Sequence, residues 1–334
     1  MKNLLVIGAG SIGKRHIGNF NKHGVKNISV VDPNQNRLEE AKKVCPIMKT
    51  FSNYEEALSS DFYEGVVIAS PTSMHVAPAI DFALNGSALF IEKPVSHNMD
   101  RLDELLKISK EKDIKTFVAY CHRFIPSIER LKNILDSKLL GEIYAFSMSW
   151  GSFLPNWHPW EDYRDFYMAK KSQGGGAFLD ESHGIDLIRF LFGEIVSLSA
   201  DIGQISKLEI DSDDWASLLL TTKNDIKGKA HFDLLRHDPQ IKLDIICEKG
   251  TITWDRIDHQ LKIFWSKEKK TETFSYTLND VLSMYDSETR HFINCVDNKE
   301  SSLIDLEDGI KTMKVIEAGF LSSENGTKIE IKHT

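Results

Sequence analysis

Gly8-Ala9-Gly10-Ser11-Ile12-Gly13 ends the apolar run 4–7 and opens a helical pattern that continues through Arg15 and Ile17. A strand, a glycine-rich turn and a helix in that order make a cradle for a phosphate. Gly8 lets the strand turn sharply, Gly10 puts no side chain between backbone and anion, and Gly13 lets helix and strand pack closely. The N–H groups at the helix start, those of Ser11 and Ile12 among them, then face the anion. A second apolar run, 28–31, ends in Asp32 at the distance of a ribose-binding acid, which turns a weak motif into a dinucleotide site. The Asp32 carboxylate can accept ribose hydroxyls but would repel a further phosphate, so NAD is expected over NADP. Arg37 is either an exposed helix charge or a partner for that phosphate.

A chain of 334 residues, 41% of them hydrophobic, suits two domains with sizeable cores. A net charge of -8 and the lack of a basic run argue against nucleic acid or an anionic membrane as partner and favour a small neutral or polar ligand. Cys45, Cys121, Cys247 and Cys295 are far apart and form no Cys-x-x-Cys pair, so neither a disulfide framework nor a metal site is expected. The apolar start is too short for a signal peptide and no later stretch is long enough to span a bilayer; a soluble, cytoplasmic protein is expected.

Beyond Asp32, a helical pattern on Leu38, Ala41 and Val44, a short strand at 47–51 and a clearer one at 65–69 alternate as a parallel sheet covered on both faces requires. The expectation is a doubly wound Rossmann domain over residues 1–121. Ser70-Pro71-Thr72-Ser73-Met74-His75 follows a strand end and borders the ligand, with Thr72 or Ser73 placed to cap a helix over 75–84. His75 has two readings, a hydrogen-bonding partner of cofactor or substrate and a surface histidine. The strand 88–91 runs straight into Glu92-Lys93-Pro94. Ligands of open α/β sheets sit beyond the carboxyl ends of the strands, so Glu92 and Lys93 are delivered to the reactive edge and the proline fixes the turn. Lys93 is the candidate catalytic or substrate-binding residue of this half. A helix over 99–112 and a strand over 116–120 complete it.

Residues 122–334 read as an α+β domain with an open, mostly antiparallel sheet that binds substrate and a second subunit. His122-Arg123-Phe124-Ile125-Pro126 opens a helix to about Leu135, with Arg123 either bridging the domain seam or touching substrate. Alternation over 143–150 marks a half-buried strand, and further strands are expected at 196–205, 215–221, 226–235, 241–247, 251–254 and 261–265. One face of such a sheet packs on helices and the other can pair with a second copy, as a homodimer or homotetramer. Trp157-His158-Pro159-Trp160-Glu161-Asp162-Tyr163-Arg164 is a binding loop or a tryptophan-packed lid. As a binding loop, Trp160 would face the C–H side of a sugar ring while Tyr163 and Arg164 hydrogen-bond its substituents.

After the glycine run 174–176, Asp180 and His183 stand three apart, and if a helix has begun they share a face. A carboxylate near an imidazole raises its basicity, as a general base requires; the plainer alternative is a helix cap and a satisfied histidine. Asp186 fits a buttress. Asp211, Asp213 and Asp214 do not complete a calcium loop and read as a solvated turn. The segment 283–318 is amphipathic and read as packing.

With the phosphate loop, Glu92-Lys93-Pro94 and Asp180-x-x-His183 in hand, nearly the whole chain resembles the glucose-fructose oxidoreductase and inositol dehydrogenase (Gfo/Idh/MocA) family. The resemblance implies a Rossmann domain followed by an open-faced sheet domain, and oxidation or reduction of one carbinol of a sugar, cyclitol or sugar nucleotide. It carries the family's catalytic lysine, aspartate and histidine over to Lys93, Asp180 and His183, and implies a Lys93-Pro94 bond that is often cis. The step from Asp180 to His183 is one residue shorter than in many members. The family also includes NAD-dependent glycosidases and non-enzymatic sensors; the complete set of three residues favours the dehydrogenase.

Overall fold

The computed structural model describes residues 1–157, 159 and 161–332, in two compact units: Met1–Cys121 with Tyr285–Met313, and His122–Met284 with Lys314–Thr334. In the first, β1 (Asn3–Ile7), β2 (Asn27–Val31), β3 (Lys49–Phe51), β4 (Gly65–Ile68), β5 (Ala88–Ile91) and β6 (Thr116–Val118) form a parallel sheet in the order β3-β2-β1-β4-β5-β6. The helices between them are α1 (Ser11–Lys22), α2 (Gln35–Val44), α3 (Tyr54–Ser60), α4 (Val76–Leu84) and α5 (Leu102–Glu111). Leu4, Leu5, Val6, Val66, Val67, Leu89 and Phe90 are fully buried, so successive residues are covered on opposite faces, which explains strands that read as unbroken apolar runs. The strand order reverses at β1 and β4, the switch point that opens a crevice beyond the carboxyl ends of the strands.

Two boundaries differ from the pattern for local reasons. Helix α5 begins at Leu102 rather than at Met99, because Asn98 N–H bonds Ser96 Oγ and Asp100 N–H bonds Asn98 Oδ1, side-chain turns that compete with the helix. Neither Thr72 nor Ser73 caps α4: they lie in a 3-10 turn, Thr72–Met74, and the helix starts after His75 with no side-chain cap.

The second unit contains α6 (Pro126–Asp136), β7 (Ile143–Gly151), α7 (Ala177–Asp180), α8 (Ser182–Phe192), β8 (Ile195–Gly203), β9 (Trp215–Thr222), β10 (Lys227–Asp233), β11 (Gln240–Cys247), β12 (Gly250–Asp255), β13 (Gln260–Trp265) and β14 (Lys270–Ser275). With β15 (Ile329–Glu330) they build a sheet in the order β14-β13-β12-β11-β7-β10-β9-β8-β15, antiparallel except where β7 pairs with β10. That parallel pair follows from the long crossover through α7, α8, β8 and β9. Along β7, Phe146, Met148 and Trp150 are buried while Ala145, Ser147 and Ser149 are half-buried, the alternation of a sheet with one covered face. Helix α8 lies on the covered face: Phe192 stacks on Phe146 at 4.3 Å, and a Cβ on Gly184 would meet the Phe232 ring at 2.4 Å. On the other face Leu219, Ile246 and Phe264 are exposed, with Ile246, Thr251 and Phe264 in one cross-strand row.

The strands β14 and β15 escape sequence reading because one is largely polar and the other has two residues. The Asp211-to-Asp214 stretch is not a solvated turn. Asp214 is fully buried and accepts from the backbone of Ile205 and Ser206, Ser212 Oγ donates to Met168 O, and Asp213 accepts from Phe178 N–H at 2.8 Å. It clamps the loop that leads into α7.

Helices α9 (Leu278–Val296) and α10 (Leu306–Asn325) belong in part to each unit. Residues 285–313 join the first, where linear order puts all of 122–334 in the second. Phe292 packs edge-on against Phe20 and Phe90, and Val118 N–H donates to Ile304 O at 2.9 Å, closing the edge of β6. Among the described residues no helix is long and apolar enough to cross a membrane.

Candidate active site

The three glycines of the first turn have different neighbours. A Cβ on Gly8, whose φ is +97, would lie 2.5 Å from Ala69 O, and one on Gly13 would lie 1.9 Å from Gly8 O. At Gly10 nothing stands within 4 Å. Gly8 and Gly13 are therefore required by packing, and Gly10 alone leaves open space, at the start of a helix with no side-chain cap and no acid in its first turn. That is where an anion finds N–H groups and the positive end of the helix dipole. Ser11 is exposed and Ile12 half-buried at the same helix start. Asp32, 3% exposed, accepts Ala9 N–H on Oδ2 and Asn34 N–H on Oδ1, each at 2.8 Å, and each oxygen keeps a second lone pair for a ribose hydroxyl. Arg37 Nη1 stands 4.0 Å from Asp32 Oδ2 with its side chain 55% exposed. These residues fit a dinucleotide with its adenosine ribose on Asp32.

At the end of β5, Glu92 Oε1 lies 2.6 Å from His16 Nε2, and Glu92 Oε2 accepts the Lys93 N–H at 3.1 Å. Burial alone would raise the Glu92 pKa, but the His16 hydrogen bond and charge, with Lys93, outweigh it and hold the carboxyl below its usual range. Glu92, expected at the cofactor, is thus the support of the turn that carries half-buried Lys93. The Lys93-Pro94 peptide is cis. His75 is 1% exposed, which removes the surface reading: Nδ1 faces Pro94 O at 3.0 Å and Nε2 faces Ser70 O at 2.9 Å, tying the Glu92-Lys93-Pro94 turn to the loop after β4. Burial pushes its pKa down against those carbonyls, and a neutral ring donates to only one of them. In that loop Thr72 is buried, Ser70 half-buried and Pro71 exposed.

In the second unit Asp180 and His183 do not share one helix. Asp180 ends α7, Glu181 turns the chain at φ -79 and ψ 24, and His183 is the second residue of α8. Tyr167 donates its phenol to Asp180 Oδ1 at 2.5 Å, with Asp180 only 4% exposed. The His183 ring, 8% exposed, packs edge-on against His122 at 4.1 Å and lies nearly parallel to Trp150 at 6.1 Å. The second unit thus holds two groups, a phenol donating to an acid and two imidazoles beside an indole. Sequence reading missed Tyr167, His122 and Trp150 as members: Tyr167 lies in an aperiodic loop, and the other two sit in segments whose meeting is tertiary.

Three other expected substrate contacts, Arg123, Tyr163 and Arg164, have partners within the chain. Arg123 makes a buried two-pronged ion pair with Asp186, so it braces the site from within this unit, as the buttress reading of Asp186 anticipates. Arg164 bonds Asp162 and Glu209, and Tyr163 Oη accepts Glu209 N–H at 3.3 Å, which ties their loop to 204–209. Trp157 donates to Ser152 Oγ at 2.5 Å. Trp160 and His158 lie outside the described residues.

The family model described as "Oxidoreductase family, NAD-binding Rossmann fold" matches residues 2–120, and that for the "Oxidoreductase family, C-terminal alpha/beta domain" matches 132–331. A scyllo-inositol 2-dehydrogenase (NAD(+)) of Bacillus subtilis is 25% identical over 98% of this chain and 95% of its own length. A myo-inositol 2-dehydrogenase of Thermotoga maritima is 24% identical over 91% of both. In fold the chain is like a levoglucosan dehydrogenase in complex with NADH and levoglucosan, at TM-score 0.89 and 19% identity over 99% of this chain and 100% of that one. It is also like the WlbA dehydrogenase of Bordetella pertussis in complex with NADH and UDP-GlcNAcA, at TM-score 0.85 and 21% identity over 100% and 99%. With family models matching from residue 2 to residue 331, the chain belongs to the Gfo/Idh/MocA oxidoreductases and carries their NAD-binding Rossmann domain.

Proposed function

We propose that this protein is an NAD-dependent dehydrogenase acting on a CH–OH carbon of a sugar, cyclitol or nucleotide sugar. The observation that carries the reading is the second-unit arrangement in which the His183 ring packs on His122 and runs nearly parallel to Trp150, and Asp180, three residues before His183, is held by Tyr167. The dehydrogenases of inositols and levoglucosan among its relatives support a polyol as substrate.

The bound nicotinamide supplies a two-electron hydride acceptor or donor. His183 takes the proton of the substrate hydroxyl as that carbon gives up its hydride and becomes a carbonyl; in the reverse direction it returns the proton. The Lys93 ammonium steadies the oxygen as charge develops, an interaction worth more in the transition state than in the ground state. Asp180, its carboxylate fixed by Tyr167, orients His183 or receives a neighbouring hydroxyl. Gly8, Gly10, Ser11, Ile12, Gly13 and Asp32 hold the dinucleotide, with the 70–75 loop beside them. Asp32 favours NAD, and tighter NADP than NAD binding would remove that role. A cytoplasmic protein that pairs with a copy of itself through the exposed sheet face completes the reading.

The test is a panel of sugars, inositols and nucleotide sugars with NAD, followed by nicotinamide absorbance. Net NADH formation that Lys93→Ala or His183→Ala reduces far more than it reduces NAD affinity is the expected result. Release of an aglycone without net NADH, or binding without either reaction, overturns it.

A further inference from the structure

On α9, Tyr285, Glu288 and Phe292 follow at i, i+3 and i+7 and share one helix face. Arg15 of α1 lays its guanidinium over the Tyr285 ring at 4.1 Å, and Asn19 Nδ2 donates to Tyr285 O at 3.2 Å. Phe292 meets Phe90 of β5 with ring centroids 5.4 Å apart, and His16 packs on that same Phe90 at 4.8 Å. Glu288 is thereby enclosed where α9, α1 and β5 converge. It is 0% exposed, and among the described residues neither of its oxygens meets a hydrogen-bond partner. An ionised carboxylate there would be costly. Glu92 is in the opposite condition, with one oxygen on His16 and the other on the Lys93 amide.

We propose that Glu288 is a positioning residue for the Glu92-Lys93-Pro94 turn: it packs as the neutral acid in the buried region that holds ionised Glu92, and so leaves the Glu92 carboxylate to His16 and the Lys93 amide. Burial first, and the Glu92 charge second, push the Glu288 pKa well above the ordinary carboxyl value, with Arg15 pulling the other way. The remaining titratable groups of this region are His16 on α1, Lys93 and Cys121 at the ends of neighbouring strands, and Tyr285 on α9 itself. When Glu288 ionises, two negative charges share the region and the link from His16 through Glu92 to Lys93 loosens. The weight given to Lys93 rests on the function proposed above; the carboxyl pair does not.

A carboxyl whose folded pKa is raised contributes stability that is full below its unfolded value and lost as pH rises through the folded one. The experiment is thermal unfolding of wild type, Glu288→Gln and Glu92→Gln from about pH 5 to about pH 9, with NADH binding followed by fluorescence across the same range. Glu288→Gln is expected to match wild type at the acid end, to melt higher at the alkaline end, and to keep NADH several-fold more tightly there. In Glu92→Gln the decline should level off at a lower pH, because one of the two causes that raise Glu288 is gone. A Glu288→Gln profile parallel to wild type throughout, or a decline that Glu92→Gln leaves unmoved, overturns the proposal. Should Glu288→Gln fail to fold, Glu288→Met carries the same comparison. Failure of every substrate in the panel would leave these melting profiles untouched, so the two readings fail separately.

Discussion

Arg123 and Asp186 meet in a two-pronged ion pair, Nε on Oδ2 at 2.9 Å and Nη2 on Oδ1 at 2.6 Å, with 6% and 1% of their side chains exposed. The pair joins the turn that carries His122 to the helix that carries His183. Removing one partner strands the other as a buried charge, which costs about 3–5 kcal/mol. Arg123→Ala and Asp186→Asn should each lose stability on that scale in urea unfolding, and a loss below about 1 kcal/mol in both would contradict the bracing role.

The glycines of the cradle should separate binding from folding. Gly10 has φ -68 and open space where a side chain would go, so Gly10→Val is expected to keep the melting temperature and to lose most NADH affinity. Gly13→Ala drives a methyl onto Gly8 O and should lose about 1–3 kcal/mol or more of stability. Calorimetric titration with NADH beside thermal melts checks both; undiminished NADH binding by Gly10→Val would remove the pyrophosphate from that turn.

Asp213 gives stability a second pH dependence. Burial, ahead of the opposing Phe178 N–H, pushes its pKa up to about 6. Its stabilising contribution is full below about pH 4 and is lost as pH rises through about 6, a change of up to about 3 kcal/mol. Asp213→Asn should flatten urea-unfolding stability over that window and be the more stable protein at neutral pH. Equal slopes would show the carboxyl to be ionised throughout.

Tyr167→Phe removes a donor from a buried carboxylate, and hydrogen bonds to charged groups are worth about 1.5–3 kcal/mol. With the substrate the panel returns, kcat/KM should fall about 10- to 100-fold. An undiminished kcat/KM would detach the Tyr167–Asp180 pair from the reaction.

The exposed row on the sheet tests assembly. Ile246→Glu with Phe264→Glu places charges where two apolar faces would meet, and the expected result in sedimentation is a smaller species than wild type. A wild type that already sediments as one chain would remove the paired-sheet reading.

The local code was readable wherever its signal is short-range. Glycines that only a tight turn and close packing require, apolar runs buried on two faces, and the alternation along β7 each follow from a few consecutive residues, and they placed the Rossmann sheet, most of the open sheet and the turn that carries Lys93. Spacing also pointed to Asp180 and His183, although the break at Glu181 puts them on successive helices. What the linear chain leaves open is which polar groups meet. The pairing of Arg123 with Asp186, of Tyr167 with Asp180, of His16 with Glu92, and the burial of His75 and Glu288 depend on residues tens to hundreds of positions apart. A polar side chain looks the same in sequence whether water or a buried partner solvates it, and only tertiary packing removes the water and so decides which.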